Sequence, residues 1–284
     1  MTTRLSSTTT DSEPSLKLVR EDLSSTSTPI KIASFNINGI RNALKKDILY
    51  PFIDSTNADV ICLQEVRVQS NQVGEFNTAL KSRGYQHIKW NCAKKAGSYG
   101  VVTISKLPFI STSTDFPDGD DEGRFAVTEF ETFVLVNLYV VNSGRKLVRL
   151  DYRIQWDEKL RNYLKTIQKP LVVTGDLNVS HQAIDIANHK ANYNKSAGYT
   201  QREIDSFSTI LEEVNLIDVF RHLYPDRVQY TYFSNFNQSR ARNIGWRLDY
   251  FLISKGLIDN VIDCIVDQDQ PGSDHVPVFL SINI

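Results

Sequence analysis

One apolar strand and the polar residues that follow it constrain the fold of this chain more than any other stretch. Residues 170–174 read Pro-Leu-Val-Val-Thr and predict a short buried strand, which runs into Gly175-Asp176-Leu177-Asn178. Gly175 permits a tight turn, Asp176 can accept a proton or bind a metal, and Asn178 can donate and accept hydrogen bonds at once. Taken alone, Asp and Asn after a strand indicate only a turn, so a chemical role depends on what the rest of the chain supplies.

Polar side chains follow other predicted strands in the same way. A strand over residues 31–37 ends at Asn36 and Asn38, and a strand over residues 58–65 ends at Glu65. A carboxylate at a strand end is a hard oxygen ligand of the kind that Mg²⁺ prefers, although many strands end in Glu for solubility alone. Further strands are predicted over residues 85–90, 99–105, 125–130, 133–141, 245–253 and 276–284.

Three segments have apolar residues at helical spacing and predict helices over residues 71–84, 146–168 and 200–214. Thr200 and Glu203 have the spacing of a capping box at the start of the last one. The apolar stripe of the long middle helix is predicted to face the core. The charged residues between are predicted to form its solvated face, and they are Arg149, Asp151, Arg153, Asp157 and Glu158.

An acid and a histidine near the C-terminus form a candidate pair. Asp249 lies within an aromatic and aliphatic run, where an unpaired charge would be very costly to bury. His275, directly before the last predicted strand, can supply the partner. Such a contact would fix the tautomer of the imidazole and direct its other nitrogen at a substrate phosphate.

The composition bounds the class of protein. A hydrophobic share of 41% supports a sizeable core, while the net charge of −1 gives no general attraction for nucleic acid, so a polyanion has to be bound by a local patch. The three cysteines are widely spaced and form no paired motif, which favours a reducing compartment. No apolar run approaches the roughly 18 residues of a spanning helix, and we expect a soluble intracellular protein without a membrane partner.

The N-terminal segment has a different composition from the rest of the chain. Ser and Thr make up 14 of its first 29 residues, and none of the 29 is aromatic. Such a segment has too little apolar surface to offset its ordering entropy. We therefore predict a disordered tail over residues 1–29 and one large α/β domain over residues 30–284.

Six short motifs follow one another along the chain: Ser34-Phe35-Asn36-Ile37-Asn38-Gly39, Leu63-Gln64-Glu65, Tyr139 with Asn142, Gly175-Asp176-Leu177-Asn178, Trp246-Arg247-Leu248-Asp249-Tyr250 and Gly272-Ser273-Asp274-His275. In this order they resemble the exonuclease III family of apurinic/apyrimidinic (AP) endonucleases, from about Lys31 to the C-terminus. Connecting phrases over residues 147–153 and 220–225 look closest to the animal AP endonuclease branch.

The resemblance implies a fold and an activity. The fold is the four-layer α/β sandwich of the DNase I-like endonuclease/exonuclease/phosphatase superfamily, in which two mixed β-sheets pack face to face with helices outside. The activity is hydrolysis of duplex DNA 5′ to an abasic site, which leaves a 3′-hydroxyl and a 5′-deoxyribose phosphate, with some 3′–5′ exonuclease or 3′-phosphodiesterase activity. The implied cofactor is Mg²⁺, with Mn²⁺ as a substitute.

The resemblance also implies roles for individual residues. Asp176 activates or orients the attacking water with support from Asn178, and His275 paired with Asp249 stabilises the phosphate. Tyr139 and Asn142 contact the same phosphate, and Asp274 acts near the metal or the leaving group. Glu65 is the principal metal ligand; the wider metal set is Asn36, Asn38, Glu65, Asp176, Asn178, Asp274 and His275.

Two further sets are implied for substrate recognition. Tyr232, Trp246 and Leu248 form an apolar pocket that admits a flipped baseless sugar and excludes a normal nucleotide by size. The DNA-contact set is Arg41, Lys45, Lys46, Tyr99, Asn142, Arg145 and Asn192. Duplex DNA with abasic sites is the implied partner, together with repair-pathway proteins. We expect a monomer that works in the nucleus, with the mitochondrion as a second compartment.

The chain departs from the family pattern at several positions. Position 38 is Asn, as in bacterial members, where the animal branch tends to have Asp. Val141 replaces the proline usual before the Asn142 motif, and Ser98-Tyr99 reverses the animal order. Ala33 stands where mammalian members have the cysteine linked to redox activation of transcription factors, so that activity is not expected.

Two other functions stay open at this point. The same scaffold serves inositol-phosphate 5-phosphatases, sphingomyelinases and RNA deadenylases, so a phosphatase is the alternative enzyme. A DNA-damage binding or scaffolding module without catalysis is the other. Preferential cutting of an abasic duplex, rather than of a phosphoinositide or poly(A), distinguishes these functions.

Overall fold

A computed structural model of the chain describes residues 28–284 and contains twelve strands and seven α-helices in that part. The strands are β1 (Ile30–Asn36), β2 (Val60–Gln64), β3 (His87–Asn91), β4 (Val101–Ser105), β5 (Ser111–Ser113), β6 (Phe125–Glu129), β7 (Val134–Tyr139), β8 (Leu171–Asp176), β9 (Leu216–Asp218), β10 (Asp249–Ser254), β11 (Val261–Val266) and β12 (Val278–Ile282). The helices are α1 (Ile40–Lys45), α2 (Leu49–Thr56), α3 (Gly74–Lys81), α4 (Leu150–Leu164), α5 (His189–Asn192), α6 (Gln201–Glu213) and α7 (Val219–Leu223).

The strands form two mixed sheets of six strands each. The first sheet has the order β11-β12-β1-β2-β4-β3, and the second has the order β5-β6-β7-β8-β10-β9. Within them β1 and β2 are parallel, as are β7 and β8, whereas β10 runs antiparallel to β8. Because parallel strands point their carboxyl ends at one edge, the residues that leave β1 and β2 emerge together, and so do those that leave β7 and β8.

Three large apolar clusters hold the layers together. One lies between the sheets and joins Ile32 and Val60 of the first to Val172 and Phe251 of the second. Another packs α4 and α6 on the outer face of the second sheet, and the third packs α1, α2 and α3 on the outer face of the first. The result is a four-layer α/β sandwich, as the motif resemblance implied.

One polar contact crosses the apolar interior directly below the rim. Gln64 of β2 donates from Nε2 to Oδ1 of Asn137 in β7 at 2.8 Å, and both side chains are fully buried. A buried hydrogen bond of this kind is costly to leave unmade. It therefore fixes how the two sheets face each other next to the residues that end β1, β2 and β7.

Gly175 shows why the turn after β8 needs glycine. Its φ is 132°, and a Cβ at this position would lie 1.9 Å from the carbonyl oxygen of Leu138 in the neighbouring β7. Any side chain would push β7 and β8 apart. The glycine thus allows Asp176 to remain in register beside Tyr139.

Most predicted elements agree with the structure within a few residues, and the capping box of Thr200 and Glu203 is confirmed. The long middle helix is shorter than predicted: it begins at Leu150, because the preceding 3₁₀ turn contains Lys146 at a φ of 58°. Its predicted solvated face was wrong at Arg153 and Asp157, which are buried and form an ion pair.

None of the helices in residues 28–284 is long and apolar enough to cross a membrane. The predicted disordered tail over residues 1–29 lies outside the described residues up to position 27.

Candidate active site

Five strands bring polar side chains to one rim of the sandwich, at the ends of β1, β2, β7 and β8 and at the start of β10. In the second sheet, Asp176 at the end of β8 pairs with Tyr139 of β7 on one side and with Asp249 of β10 on the other. In the first sheet, Asn36 at the end of β1 pairs with Gln64, which Glu65 follows. The site is thus assembled from residues that are far apart in the chain but adjacent in strand register.

The carboxamide of Asn36 links the two sheets at this rim. Its Nδ2 donates to Oε1 of Glu65 at 3.0 Å and to Oδ2 of Asp176 at 2.9 Å, while its Oδ1 accepts from the backbone N–H of Asn38 at 3.1 Å. Two carboxylates from different sheets therefore lie within reach of one amide nitrogen. Since like charges this close repel, the arrangement favours a cation beside them.

His275 is held between two acids. Its Nδ1 lies 2.8 Å from Oδ2 of Asp249, and its Nε2 lies 3.6 Å from Oδ2 of Asp176. Burial by itself would lower the pKa of His275, but Asp249 and Asp176 outweigh it and raise that pKa to about 10. The imidazole is therefore a cation near neutral pH, with one nitrogen engaged by Asp249 and the other directed at Asp176.

Asp176 is also buried, and burial disfavours the charged form of its carboxylate. Burial raises its pKa to about 7, with Asp249 and Glu65 adding to the rise and His275 opposing it. The backbone N–H of Asn178 also donates to its Oδ1 at 2.9 Å. A carboxylate whose pKa lies near neutrality is suited to take a proton from water.

The donor set fits a hard divalent cation. Glu65, Asp176 and Asp274 present carboxylate oxygens to one cavity, with the amides of Asn36 and Asn38 among them. Oxygen ligands of this kind suit Mg²⁺ or Mn²⁺ rather than a metal that prefers sulfur. One ligand atom from each of Asp176, Asp249 and His275 also lies within 4.8 Å of the others, but this trio could bind a metal only with the imidazole deprotonated, whereas the two acids keep it charged.

A second pair of carboxamides lies on the other side of Asp176. Asn142 Nδ2 donates to Asn178 Oδ1 at 2.7 Å, and Asn178 Nδ2 donates to the carbonyl oxygen of Val140 at 2.9 Å. Burial, with Glu65 and Asp176 nearby, raises the pKa of Tyr139 well above its usual value, so its phenol stays protonated and can donate. These groups are neutral hydrogen-bonding partners for an anion in the cavity.

The turn over residues 272–275 is fastened to the end of β1. Asn38 Nδ2 donates to Asp274 Oδ1 at 2.9 Å, and Ser273 Oγ donates to the carbonyl oxygen of Asn36 at 2.7 Å. Gly272 has a φ of 102°, and a Cβ there would lie 1.9 Å from Ile48 Cδ1. The glycine lets this turn approach the first sheet closely enough to deliver Asp274 and His275 to the rim.

A cavity of about 420 Å³ lies at the centre of these groups. Its polar side is formed by the acids, His275 and Asn178, and its other side by Tyr232, Trp246 and Leu248. The ring of Tyr232 lies 5.0 Å from that of His275, so the apolar wall directly adjoins the charged groups. All three residues expected to form the pocket therefore line it; Ser196, Ala197 and Gly198 complete one edge.

The residues expected to contact DNA differ in where the structure places them. Arg41, Lys45, Lys46 and Arg145 are exposed, and Lys46 Nζ approaches the carbonyl oxygen of Gly272 at 3.4 Å. Tyr99 packs beside Tyr139 with 6.1 Å between ring centroids. Asn142 alone of this set lines the cavity among the described residues.

Asn192 differs from the other residues of that set. It donates to the carbonyl oxygen of Asn188 at 3.1 Å and accepts from Ser196 Oγ at 2.8 Å, so its carboxamide supports its own loop. The same loop supplies the cavity edge through residues 196–198. Asn192 therefore supports the loop whose residues 196–198 line the cavity.

Arginines near the site were missed by sequence reasoning. Arg67 donates to Oε2 of Glu65, and a cation two residues after the acid was the available signal. Arg124 is buried, stacks against the rings of Tyr99 and Tyr139 at 4.1 and 4.6 Å, and donates to the carbonyl oxygen of Tyr139. Nothing in the loop around Arg124 indicated this contact.

Together, the two-sheet sandwich and a rim of acids, carboxamides and a charged histidine define a hydrolase that acts on phosphate esters. The chain belongs to the Endonuclease/Exonuclease/phosphatase family, whose model matches residues 33–275. The recognition of this family and of its fold from the motifs is thereby confirmed.

Individual relatives are similar over nearly the whole described part. An exodeoxyribonuclease of Bacillus subtilis is 40% identical over 260 residues, which are 90% of this chain and 100% of that protein. The DNA repair nuclease APEX1 of Danio rerio is 38% identical over 261 residues, 90% of this chain and 83% of that protein. The crystal structure of the AP endonuclease LMAP from Leishmania major has a TM-score of 0.83 at 30% identity, covering 90% of this chain and 88% of that one.

Proposed function

We propose that the protein is a DNA repair endonuclease that hydrolyses the phosphodiester 5′ to an abasic site in duplex DNA. The products are a 3′-hydroxyl and a 5′-deoxyribose phosphate, and the same site supplies some 3′–5′ exonuclease or 3′-phosphodiesterase activity. The observation that carries the proposal is the Asn36 bridge, which joins Glu65 to Asp176 beside charged His275 and an apolar pocket. The relatives named as exodeoxyribonuclease, DNA repair nuclease and AP endonuclease support it.

In this proposal Asp176 orients the attacking water and takes its proton. His275 donates from Nε2 to a non-bridging phosphate oxygen, and Asp249 holds the imidazole in the orientation that this requires. Tyr139 and Asn142 donate to the same phosphate, while Asn178 fixes Asn142 and the loop that carries Asp176. Asp274 acts near the leaving oxygen, where Asn38 holds its carboxylate.

Mg²⁺, with Mn²⁺ as a substitute, is the proposed cofactor. Glu65 is its principal ligand, and Asn36, Asn38, Asp176 and Asp274 complete the oxygen-rich surroundings. When bound to these residues, the ion would supply positive charge next to the phosphate and the leaving alkoxide.

The cavity and the surface around it account for the choice of substrate. In this proposal a sugar without a base packs against Tyr232, Trp246 and Leu248, and the side chains of these three residues exclude a normal nucleotide by size. The exposed side chains of Arg41, Lys45, Lys46 and Arg145 provide positive charge for the duplex backbone. This local set reconciles DNA binding with a net charge of −1.

The test is incubation with a duplex that carries one abasic analogue, in Mg²⁺ and in chelator. We expect a single cut 5′ to the analogue in Mg²⁺ and none in chelator. A matched duplex without the lesion, a soluble phosphoinositide and poly(A) are the control substrates. Preferential turnover of the phosphoinositide would support the phosphatase alternative. Tight binding of uncut abasic DNA in Mg²⁺ would support a damage-binding module.

Replacing Glu65 with alanine should raise the Mg²⁺ concentration needed for half-maximal cutting by about tenfold or more, because one charged ligand is lost. Calorimetric titration of Mg²⁺ into the DNA-free protein should show the same weakening. Glu158→Ala is the matched control, since Glu158 is an exposed acid of α4 with no role in the proposed site. An unchanged metal titration would remove Glu65 from the ligand set.

For a eukaryotic cell we propose the nucleus as the working compartment and the mitochondrion as the second, since both contain DNA; imaging of the tagged full chain tests this. We further propose a monomer, since the proposed site is assembled within one chain, and sedimentation tests that state.

A further inference from the structure

A buried arginine lies behind the candidate site on α4. The side chain of Arg153 is 2% exposed, and its guanidinium points at the rim from the outer helical layer. Its Nη1 donates to the carbonyl oxygens of Val141 at 2.8 Å and Asn178 at 3.1 Å, and its Nη2 donates to that of Leu177 at 3.0 Å. Its Nε lies 2.8 Å from each carboxylate oxygen of Asp157.

The three carbonyl oxygens belong to two segments that carry site residues. Val141 directly precedes Asn142 at the exit of β7, and Leu177 and Asn178 directly follow Asp176 at the exit of β8. The guanidinium is thus a bridge between the two exits. The two exits are also joined directly, because Asn142 Nδ2 donates to Asn178 Oδ1 at 2.7 Å.

The chemistry of arginine suits this position better than that of any other residue. Its planar guanidinium presents five N–H groups on three nitrogen atoms in a rigid arrangement, whereas the three N–H groups of lysine all lie on one nitrogen atom. Burying a charge is costly, and well-packed apolar residues often give equal or greater stability than a buried ion pair. Because Arg153 is buried and donates to backbone oxygens on both exits, we infer that it serves to fix their relative position and not to add stability.

Asp157 completes the arrangement from the helix. Its Oδ2 also accepts from Ser206 Oγ of α6 at 3.0 Å, so the carboxylate is itself held in place. Because Asp157 balances the charge and fixes Nε, the remaining N–H groups of Arg153 keep one direction. The helical layer thus determines the spacing of the two strand exits.

We propose that Arg153 is a positioning residue that holds Asn142 and Asn178 in register with Asp176. The effect on catalysis rests on the proposed DNA cleavage, because Asn142 contacts the phosphate and Asn178 supports the loop of Asp176. The effect on the two carboxamides needs no substrate and can be measured separately.

The first experiment compares Arg153→Lys with Arg161→Lys. Arg161 lies on the same helix and pairs with Glu213, away from both strand exits, so its substitution is the matched control. In Arg153→Lys we expect kcat on the abasic duplex to fall by about 10- to 100-fold with KM changed less than about threefold. Arg161→Lys should keep the parental kcat, and thermal unfolding should show that both variants are folded at the assay temperature.

The second measurement is made without DNA. In protein labelled at asparagine, the side-chain amide resonances of Asn142 and Asn178 should shift in Arg153→Lys and stay at their parental positions in Arg161→Lys. Unshifted resonances in folded Arg153→Lys would overturn the proposal. A parent protein that fails to cut abasic DNA would instead overturn the proposed function, while this measurement still decides the role of Arg153.

Chemical rescue gives a third readout that a merely structural role would not produce. Free guanidinium, at concentrations too low to unfold the protein, should restore part of the kcat of Arg153→Ala, and equal sodium chloride should not. If Arg153→Lys and Arg153→Ala do not fold, Asp157→Asn takes their place, because it leaves the guanidinium but removes one of its fixed acceptors. A folded Asp157→Asn protein with parental kcat and unshifted amides would overturn the proposal as well.

Discussion

Asp176→Asn should lower kcat on an abasic duplex by about 10³-fold while leaving affinity for that duplex nearly unchanged. The substitution keeps the size of the side chain but removes a proton acceptor, and general-base catalysis contributes about 10²- to 10⁴-fold to such reactions. The amide oxygen can still accept from Asn36, as Asp176 Oδ2 does at 2.9 Å, so the link between the sheets survives, while the backbone N–H of Asn178 loses its acceptor. The loss should therefore fall on turnover and spare the fold.

Single-turnover cutting and equilibrium binding of a non-cleavable abasic analogue separate the two quantities. Asp59→Asn is the matched control: this half-buried acid accepts the backbone N–H of Lys31 at 2.8 Å beside the opposite end of β2. We expect parental kcat for it. A kcat within about tenfold of the parent in Asp176→Asn would assign the proton transfer to another group.

The fold was predictable because local patterns and tertiary demands agree over most of the chain. Apolar runs such as residues 171–174 are buried in the sheets, and the apolar positions of α4 and α6 pack on the second sheet. The residues of the rim were predictable as well, because polar residues that directly follow a strand lie at the edge of the sheet. Asp249 needed a partner within an apolar run, and the structure places His275 there.

Buried charges on helices marked the limit of that reasoning. Arg153 and Asp157 are four residues apart, a spacing typical of an exposed ion pair on a helix surface. In the structure the pair is buried, because the backbone carbonyl oxygens of two strand exits point at this part of α4. Those acceptors belong to residues 141, 177 and 178, and the sequence around Arg153 does not indicate that they lie nearby.

Contacts between side chains of the two sheets could not be predicted from local sequence patterns either. Asn36 could be read as a turn residue. Strand pairing within the first sheet brings Glu65 to its amide nitrogen, and only the packing of the two sheets brings Asp176 there. The DNA contact predicted for Asn192 stays a prediction, and the structure adds that its carboxamide is engaged by Asn188 and Ser196 within its own loop. The contacts of side chains whose partners are distant in sequence therefore follow from the tertiary structure and not from local sequence patterns.

His275→Ala should lower kcat by about 10²- to 10³-fold, which is the typical effect of removing one preorganised donor from a developing negative charge. The pKa of His275, raised to about 10 by Asp249 and Asp176, keeps the imidazole charged over the working pH range. Affinity for abasic DNA should change little, because the apolar wall and the exposed basic residues are untouched. Rapid-quench kinetics and analogue binding on the same preparations measure both.

Asp249→Asn and the double variant decide whether His275 acts as part of a unit. If Asp249 serves to hold and charge the imidazole, each single variant and the double variant should lose a similar factor in kcat, because groups that act together are not additive. His181→Ala is the control histidine: it is half-buried, contacts Ser208 Oγ at 2.8 Å and lies outside the cavity lining. Equal losses of binding and turnover in His275→Ala would indicate a structural histidine, since a group that acts on the developing charge affects the transition state and spares the bound ground state.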